Sequence, residues 1–290
     1  MATENAGTNK VPGVDTVLVG VMPPPGWRLT TTFAYYTADK TMDGSGNRRS
    51  NVTDFYYDIK ALTMRFQYVW PQVKWLGAAV ETRFGHAIYA ESNFRIQLQT
   101  PGGTVRREAY PSASFAGGFA APVLLGWHGK TLHQTAGALV IYPTRTFNRA
   151  LATNIPSGYV SLAPAYFVTW MPNERWELNG SLFYLHNFEN HVTNYQSGRE
   201  TSFDYGIGYS VSPKMQLGLN GYIFKQLADD EINGVPVAGG NRGQALAIGP
   251  FVRVQVSKNL GLVLKWQQEF KVENRGSGNR FFLQINSKLW

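Results

Sequence analysis

Chemistry in a protein usually starts with histidine, cysteine, serine or paired carboxylates, so these residues are taken first. The chain has 290 residues, five histidines and no cysteine. A thiol nucleophile, a cysteine-ligated metal and a disulfide framework are therefore excluded. The histidines are His86, His128, His133, His186 and His191. No serine sits in a Gly-x-Ser-x-Gly turn, the setting that aims a nucleophile at an acyl group, and no His-x-Ser-Asn-Gly stretch occurs. A lipid-hydrolysing barrel is thus left without its nucleophile. His186 and His191 flank Glu189, a loose metal-like cluster at the start of a loop. The plainer reading is a set of polar residues at a strand end. Asp229-Asp230-Glu231 could hold a divalent ion or bridge to lipopolysaccharide through one, and its default reading is a solvated loop tip. No catalytic residue, metal site or cofactor is expected.

The spacing that does carry information is a period of two. Leu260, Leu262, Leu264, Trp266, Phe270 and Val272 share one parity. Gly261, Lys265, Gln267, Glu269 and Lys271 share the other. After a polar gap over 273–278 the alternation resumes, with Phe281, Leu283, Ile285 and Leu289 apolar and Arg280, Gln284, Asn286 and Lys288 among the polar residues. Such alternation means strands with one apolar and one polar face. Two strands of this kind at the chain end suit a transmembrane β-barrel, with lipid on the apolar side and a wet lumen on the polar side. No run reaches the roughly 18 apolar residues of a membrane helix.

Taken in order, residues 26–290 read as about twelve strands joined alternately by long loops and tight turns. Tight turns are expected at Pro71-Gln72-Val73, His128-Gly129-Lys130, Met171-Pro172-Asn173, Ser212-Pro213-Lys214 and Ser257-Lys258-Asn259. Long loops are expected at 39–58, from Pro101 to Pro111, and before Gly158, Gly198 and Gly243. The expectation is an all-β, monomeric, antiparallel transmembrane barrel with short periplasmic turns and long extracellular loops. Residues 1–25 carry no strand pattern, and Pro23-Pro24-Pro25 stiffens their end. They are expected to form an N-terminal periplasmic arm or a small plug. No signal peptide is present, so the start is expected to be a mature terminus.

Tryptophan placement gives an independent check. Trp27, Trp70, Trp75, Trp127, Trp170, Trp176 and Trp290 all fall at the predicted periplasmic end of a strand. Indole favours the membrane interface, so these seven are expected to form an aromatic girdle. Tyr89, Tyr159, Tyr184, Phe203 and Phe270 are among those expected at the opposite rim. Trp290 shares parity with Lys288 and Asn286, out of step with the usual lipid-facing terminal aromatic.

Parity also assigns the pore lining: Arg28, Arg65, Glu81, Arg83, Glu177, Asp204, Arg253, Lys265, Glu269 and Lys271. The lining carries both signs with a basic excess, in a chain of net charge +8. Lys and Arg are scattered rather than clustered, so nucleic-acid binding is not expected. Partners are expected to be outer-membrane lipid and lipopolysaccharide and small solutes, with no obligate protein partner.

Three segments resemble a known family: Val21-Met22-Pro23-Pro24-Pro25-Gly26-Trp27 ahead of Tyr35-Tyr36, Lys74-Trp75-Leu76-Gly77, and Pro122-Val123-Leu124-Leu125-Gly126-Trp127. These are similar to the outer-membrane "meta-pathway of phenol degradation" proteins of Gram-negative bacteria. The resemblance implies an outer-membrane channel for passive uptake of hydrophobic or aromatic compounds, and supplies no catalytic residues. A charged lining fits a greasy cargo poorly. Three resolutions stand open: lateral exit through the wall, capture in an apolar pocket of the loops, or a general narrow pore for small polar solutes. A lipid-modifying barrel enzyme and a soluble ligand-binding β-protein are the remaining alternatives.

Overall fold

A computed structural model describes residues 8–155 and 157–289. Among them are sixteen strands and no helix: β1 (Gly26–Thr41), β2 (Val52–Trp75), β3 (Ala78–Thr100), β4 (Gly103–Ala109), β5 (Ser112–His128), β6 (Leu132–Pro143), β7 (Ser161–Trp170), β8 (Trp176–Asn187), β9 (Tyr195–Gln196), β10 (Glu200–Ser212), β11 (Met215–Gln226), β12 (Glu231–Ile232), β13 (Val235–Pro236), β14 (Gln244–Ser257), β15 (Leu260–Glu273) and β16 (Gly276–Lys288). The main sheet runs β2-β1-β16-β15-β14-β11-β10-β8-β7-β6-β5-β3-β4, and a β2–β3 pairing closes it. Strand β4 pairs only with β3, so twelve strands make a closed antiparallel wall. Closure leaves the wall without a free edge, which is what lets a sheet stand in lipid. The expected barrel is the observed one.

Outward positions of the wall are apolar and open to the surroundings, among them Phe33, Ile207, Leu219, Ile223, Leu264 and Phe281. Phe33, Leu62, Leu264, Trp266, Phe281 and Leu283 line an apolar groove on this outer face. Apolar surface of this extent belongs against acyl chains.

Two connections depart from expectation. The first tight turn is not at Pro71-Gln72-Val73. Those residues form a bulge, with Gln72 at φ 60, and pairing resumes at Lys74 opposite Ala79. The turn is Leu76-Gly77, both with positive φ, the two-residue geometry that matches strand twist. Pro71 is a bulge proline, and it resembles a turn proline in sequence. The second departure lies at the other end. Residues 52–58 and 103–109, expected as loop, are strand: β2, β3 and β4 extend the wall beyond its neighbours, pairing Phe55 with Ile96 and Ile96 with Arg107. The longer loops at this end are 42–51, 144–160, 188–199 and 227–243, while β15 and β16 are joined by only Asn274 and Arg275.

Asp230 is no solvated loop tip. It is fully buried and accepts hydrogen bonds from Gly198 N (2.8 Å), Gln226 Nε2 (2.6 Å) and Asn241 Nδ2 (2.9 Å), which knits β9, β12 and β13 onto the rim. Asp229 pairs with Arg242 at 2.6 Å.

Candidate functional site: the barrel interior

Residues 8–25 run through the inside of the barrel. Asn9 donates to the Tyr159 carbonyl (3.0 Å) and Ser161 Oγ (2.8 Å) near the loop end. Lys10 pairs with Asp204. Asp15 pairs with Arg65 across the lumen at 2.9 Å, and its carbonyl accepts from Ser181. Amides of Leu18 and Val19 donate to Glu177 and Asn179, and that of Gly20 donates to Thr169 Oγ1. Met22 reaches Gly126 and His128 at the turn end. Glycine makes this path fit. A Cβ at Gly20 would lie 2.5 Å from the His133 carbonyl and from Thr169 N, and one at Gly206 would lie 2.1 Å from the Thr16 carbonyl.

Nine of the ten residues expected in the lining belong to wall strands and turn inward. Arg28 is partly buried near the turn end. Arg83 donates to Glu81 at 2.7 Å, and Gln67 joins the pair at 3.1 Å. Glu177 accepts from Arg253 (2.8 Å), Gln216 (3.1 Å) and Asn179 (2.8 Å). Lys265 donates to the Val14 carbonyl (2.6 Å) and Thr16 Oγ1 (3.1 Å). Glu269 holds the densest knot. It accepts from Tyr36 (3.0 Å), Tyr222 and Gly278 N (2.9 Å), with Arg280 at 3.6 Å, and Arg280 lies over the Tyr36 ring.

Lys271 is the exception. It points outward and is exposed, while Val272 is buried at 2%. Lys271 has φ 48, and the β14–β15 register slips between Leu246–Phe270 and Gln244–Glu273. A one-residue bulge exchanges the two faces beyond it. Lys271→Ala is therefore expected to change unfolding free energy by less than about 0.5 kcal/mol. Lys265→Ala strands two arm acceptors and is expected to cost about 1–3 kcal/mol. Denaturant titration in detergent compares the two.

The interior is not charged all round. On the β5–β8 side the inward residues include an apolar cluster, Ala121, Leu124, Leu139, Ala163, Ala165, Phe167, Phe183 and Leu185, all buried, with Met22 and Val19 of the arm packed against them. Phe167 and Phe183 meet edge-to-face at 5.3 Å. Two cations cap them, Lys10 over Phe183 at 4.3 Å and Arg83 over Phe167 at 5.3 Å. Parity could not find this cluster, because here both faces are apolar. The wall in front of it is also irregular. The β5–β6 register slips between Ala120 and Leu124, around Pro122, and the β7–β8 pairing skips Pro164. Proline has no N–H for the ladder. Pro164 stands opposite Ala138 of β6, so the two prolines flank the same part of that strand.

The family described as "Putative MetA-pathway of phenol degradation" matches residues 38–285. The chain belongs to this family. The fold agrees with that of the COG4313 outer membrane channel from Pseudomonas putida F1, with TM-score 0.71 and 12% identity over 96% of this chain and 99% of that one. The CymD monoaromatic hydrocarbon channel aligns less well, with TM-score 0.45 and 9% identity over 93% of this chain and 90% of that one. The NanC porin aligns with TM-score 0.43 and 10% identity over 90% of this chain and 100% of that one. No curated protein matches the sequence.

In this member of the phenol-degradation family, Trp70, Trp75, Trp127, Trp170 and Trp176 are exposed at the turn end, and Trp27 is partly buried against Tyr68. Trp290 lies outside the described residues. At the opposite rim Tyr89, Tyr184, Phe203 and Phe270 are exposed, but Tyr159 is not: it is 2% exposed and faces the arm. His186 packs edge-to-face on Phe188, and His191 lies 3.6 Å from Glu189. Among the described residues, no group of three or more metal-ligating side chains gathers.

Proposed function

We propose that this protein is a passive outer-membrane channel for small hydrophobic or aromatic compounds, with its tight turns and tryptophan girdle on the periplasmic side, and that it is not an enzyme. The observation that carries this reading is the buried apolar cluster of β5–β8, which gives a greasy solute apolar wall surface inside a barrel otherwise lined by charge. Family membership supports the same cargo class. The arm of residues 8–25 acts as a plug: it pairs with the charged half of the lumen and roofs the apolar half. The charges then serve mainly to seat the plug, which removes the conflict between a charged lining and an apolar cargo. Cargo passes between this apolar cluster and the membrane through the wall beside β6, where Pro122 and Pro164 leave the ladder incomplete.

Uptake of a labelled aromatic hydrocarbon by cells that depend on this protein tests the reading. Phe183→Asp puts a carboxylate beside Lys10 within the apolar cluster and is expected to abolish that uptake while the barrel still inserts and shows heat-modifiable migration. Unchanged uptake by Phe183→Asp would remove the cluster from the route.

A further inference from the structure

His128 ends β5 and His133 lies directly opposite on β6, across the turn that joins them. Their Nδ1 atoms are 3.3 Å apart. Two nitrogens held by one tetrahedral zinc ion at about 2.05 Å are themselves about 3.3 Å apart, so the pair already has the spacing of one edge of such a site. Both residues share parity with inward-facing neighbours, Gly126 with His128 and Thr135 with His133, so the rings face the mouth of the barrel rather than lipid. His128 is exposed and His133 half-buried, so an aqueous ion can reach the pair.

Built at Gly126, a Cβ would lie 2.5 Å from Met22 Sδ and 2.8 Å from His128 Nε2, so the far edge of the imidazole lies over Gly126, on the inward side near Met22. That leaves Nδ1 as the edge turned to His133. The neutral ring is the form that binds metal.

We propose that His128 and His133 form a two-histidine site for a zinc-class divalent ion at the turn-end mouth, with water completing the coordination shell. Without an ion the same gap is spanned by a single N–H···N hydrogen bond between the rings. An ion there crosslinks β5 to β6 below the Pro122 interruption and beside the point where the arm leaves the lumen. The site stands whether or not the cargo is hydrophobic.

The test is a zinc titration of the untagged full-length protein in detergent at pH 7.5, against a chromophoric competitor. Wild type is expected to take up one zinc ion per barrel, as is a variant with His86, His186 and His191 all changed to alanine. H128A and H133A are each expected to weaken binding by more than the roughly 10–100-fold that loss of a supporting outer-shell group costs. Heat-modifiable migration shows that both variants are folded. Either of two results overturns the proposal: no zinc uptake by wild type at a large excess of the ion, or uptake by folded H133A equal to that of wild type.

Discussion

Deletion of residues 8–20 is expected to raise single-channel conductance in planar bilayers at least several-fold. Barrels of about eight strands fill with their own side chains, and those of sixteen or more hold an open channel. At twelve strands the wall side chains leave space, and here the arm takes it up. Its backbone meets Glu177, Asn179, Thr169, Lys265, Gln267 and Gln284 on separate parts of the wall. Without it water enters, and those wall groups exchange arm partners for solvent, so the loss of stability stays modest. The deleted Lys10 and Asp15 cancel in charge. The uncovered wall keeps Arg28, Arg65, Arg83, Arg253, Lys265 and Arg280 against Glu81, Glu177, Glu200, Asp204 and Glu269, a small excess of positive charge. The opened pore is therefore expected to prefer anions, read from the reversal potential under a salt gradient. Gly20→Val works without deletion, because its side chain meets backbone atoms of β6 and β7 that cannot retreat. Conductance equal to wild type in both variants would sink the plug.

Glu269→Ala is expected to cause the largest loss of stability from a single substitution, about 3–5 kcal/mol. Glu269 is buried with Arg280, and its oxygens take up the hydroxyls of Tyr36 and Tyr222 and the amide of Gly278. Removing it leaves one guanidinium without its anion and strands several donors inside the wall. These donors come from β1, β11 and β16, so the defect spreads across much of the barrel. Glu269→Gln keeps the acceptor oxygen and the shape and is expected to cost markedly less. Guanidinium unfolding in lipid vesicles ranks the two, and equal midpoints for wild type and Glu269→Ala would show that the knot is dispensable.

Much of the barrel was legible because strand alternation is a local property. Leu264, Lys265, Trp266 and Gln267 sort themselves by the period of the backbone, and lipid outside with charge inside leaves one arrangement. The rhythm of turns and loops followed for the same reason. Parity failed where local geometry slips by one residue. Lys271 has the same parity in the sequence as Glu269, two residues before it. Only the bulge at its positive φ turns it out, and that switch is invisible until the β14–β15 register is known. The same holds for Pro71, whose bulge reads as a turn until the pairing of Lys74 with Ala79 is seen.

By itself the sequence determined the closed all-β wall, the aromatic rims and most of the charged positions that turn inward. Each of these depends on residues close together in the chain. Only the tertiary structure decided what fills the interior. The arm reaches Asp204 and Glu177 across more than a hundred residues of chain, and its polar backbone has no periodicity to betray that path. The apolar cluster was hidden for a related reason. Leu139 and Val140, or Ala163 and Pro164, are apolar on both faces of one strand, so hydropathy cannot say which is inside. Closing the barrel assigns Leu139 and Ala163 to the interior and brings them together with Leu124, Phe167, Phe183 and Leu185. That assembly, made by strands meeting in space, supplies the apolar surface on which the proposed function rests.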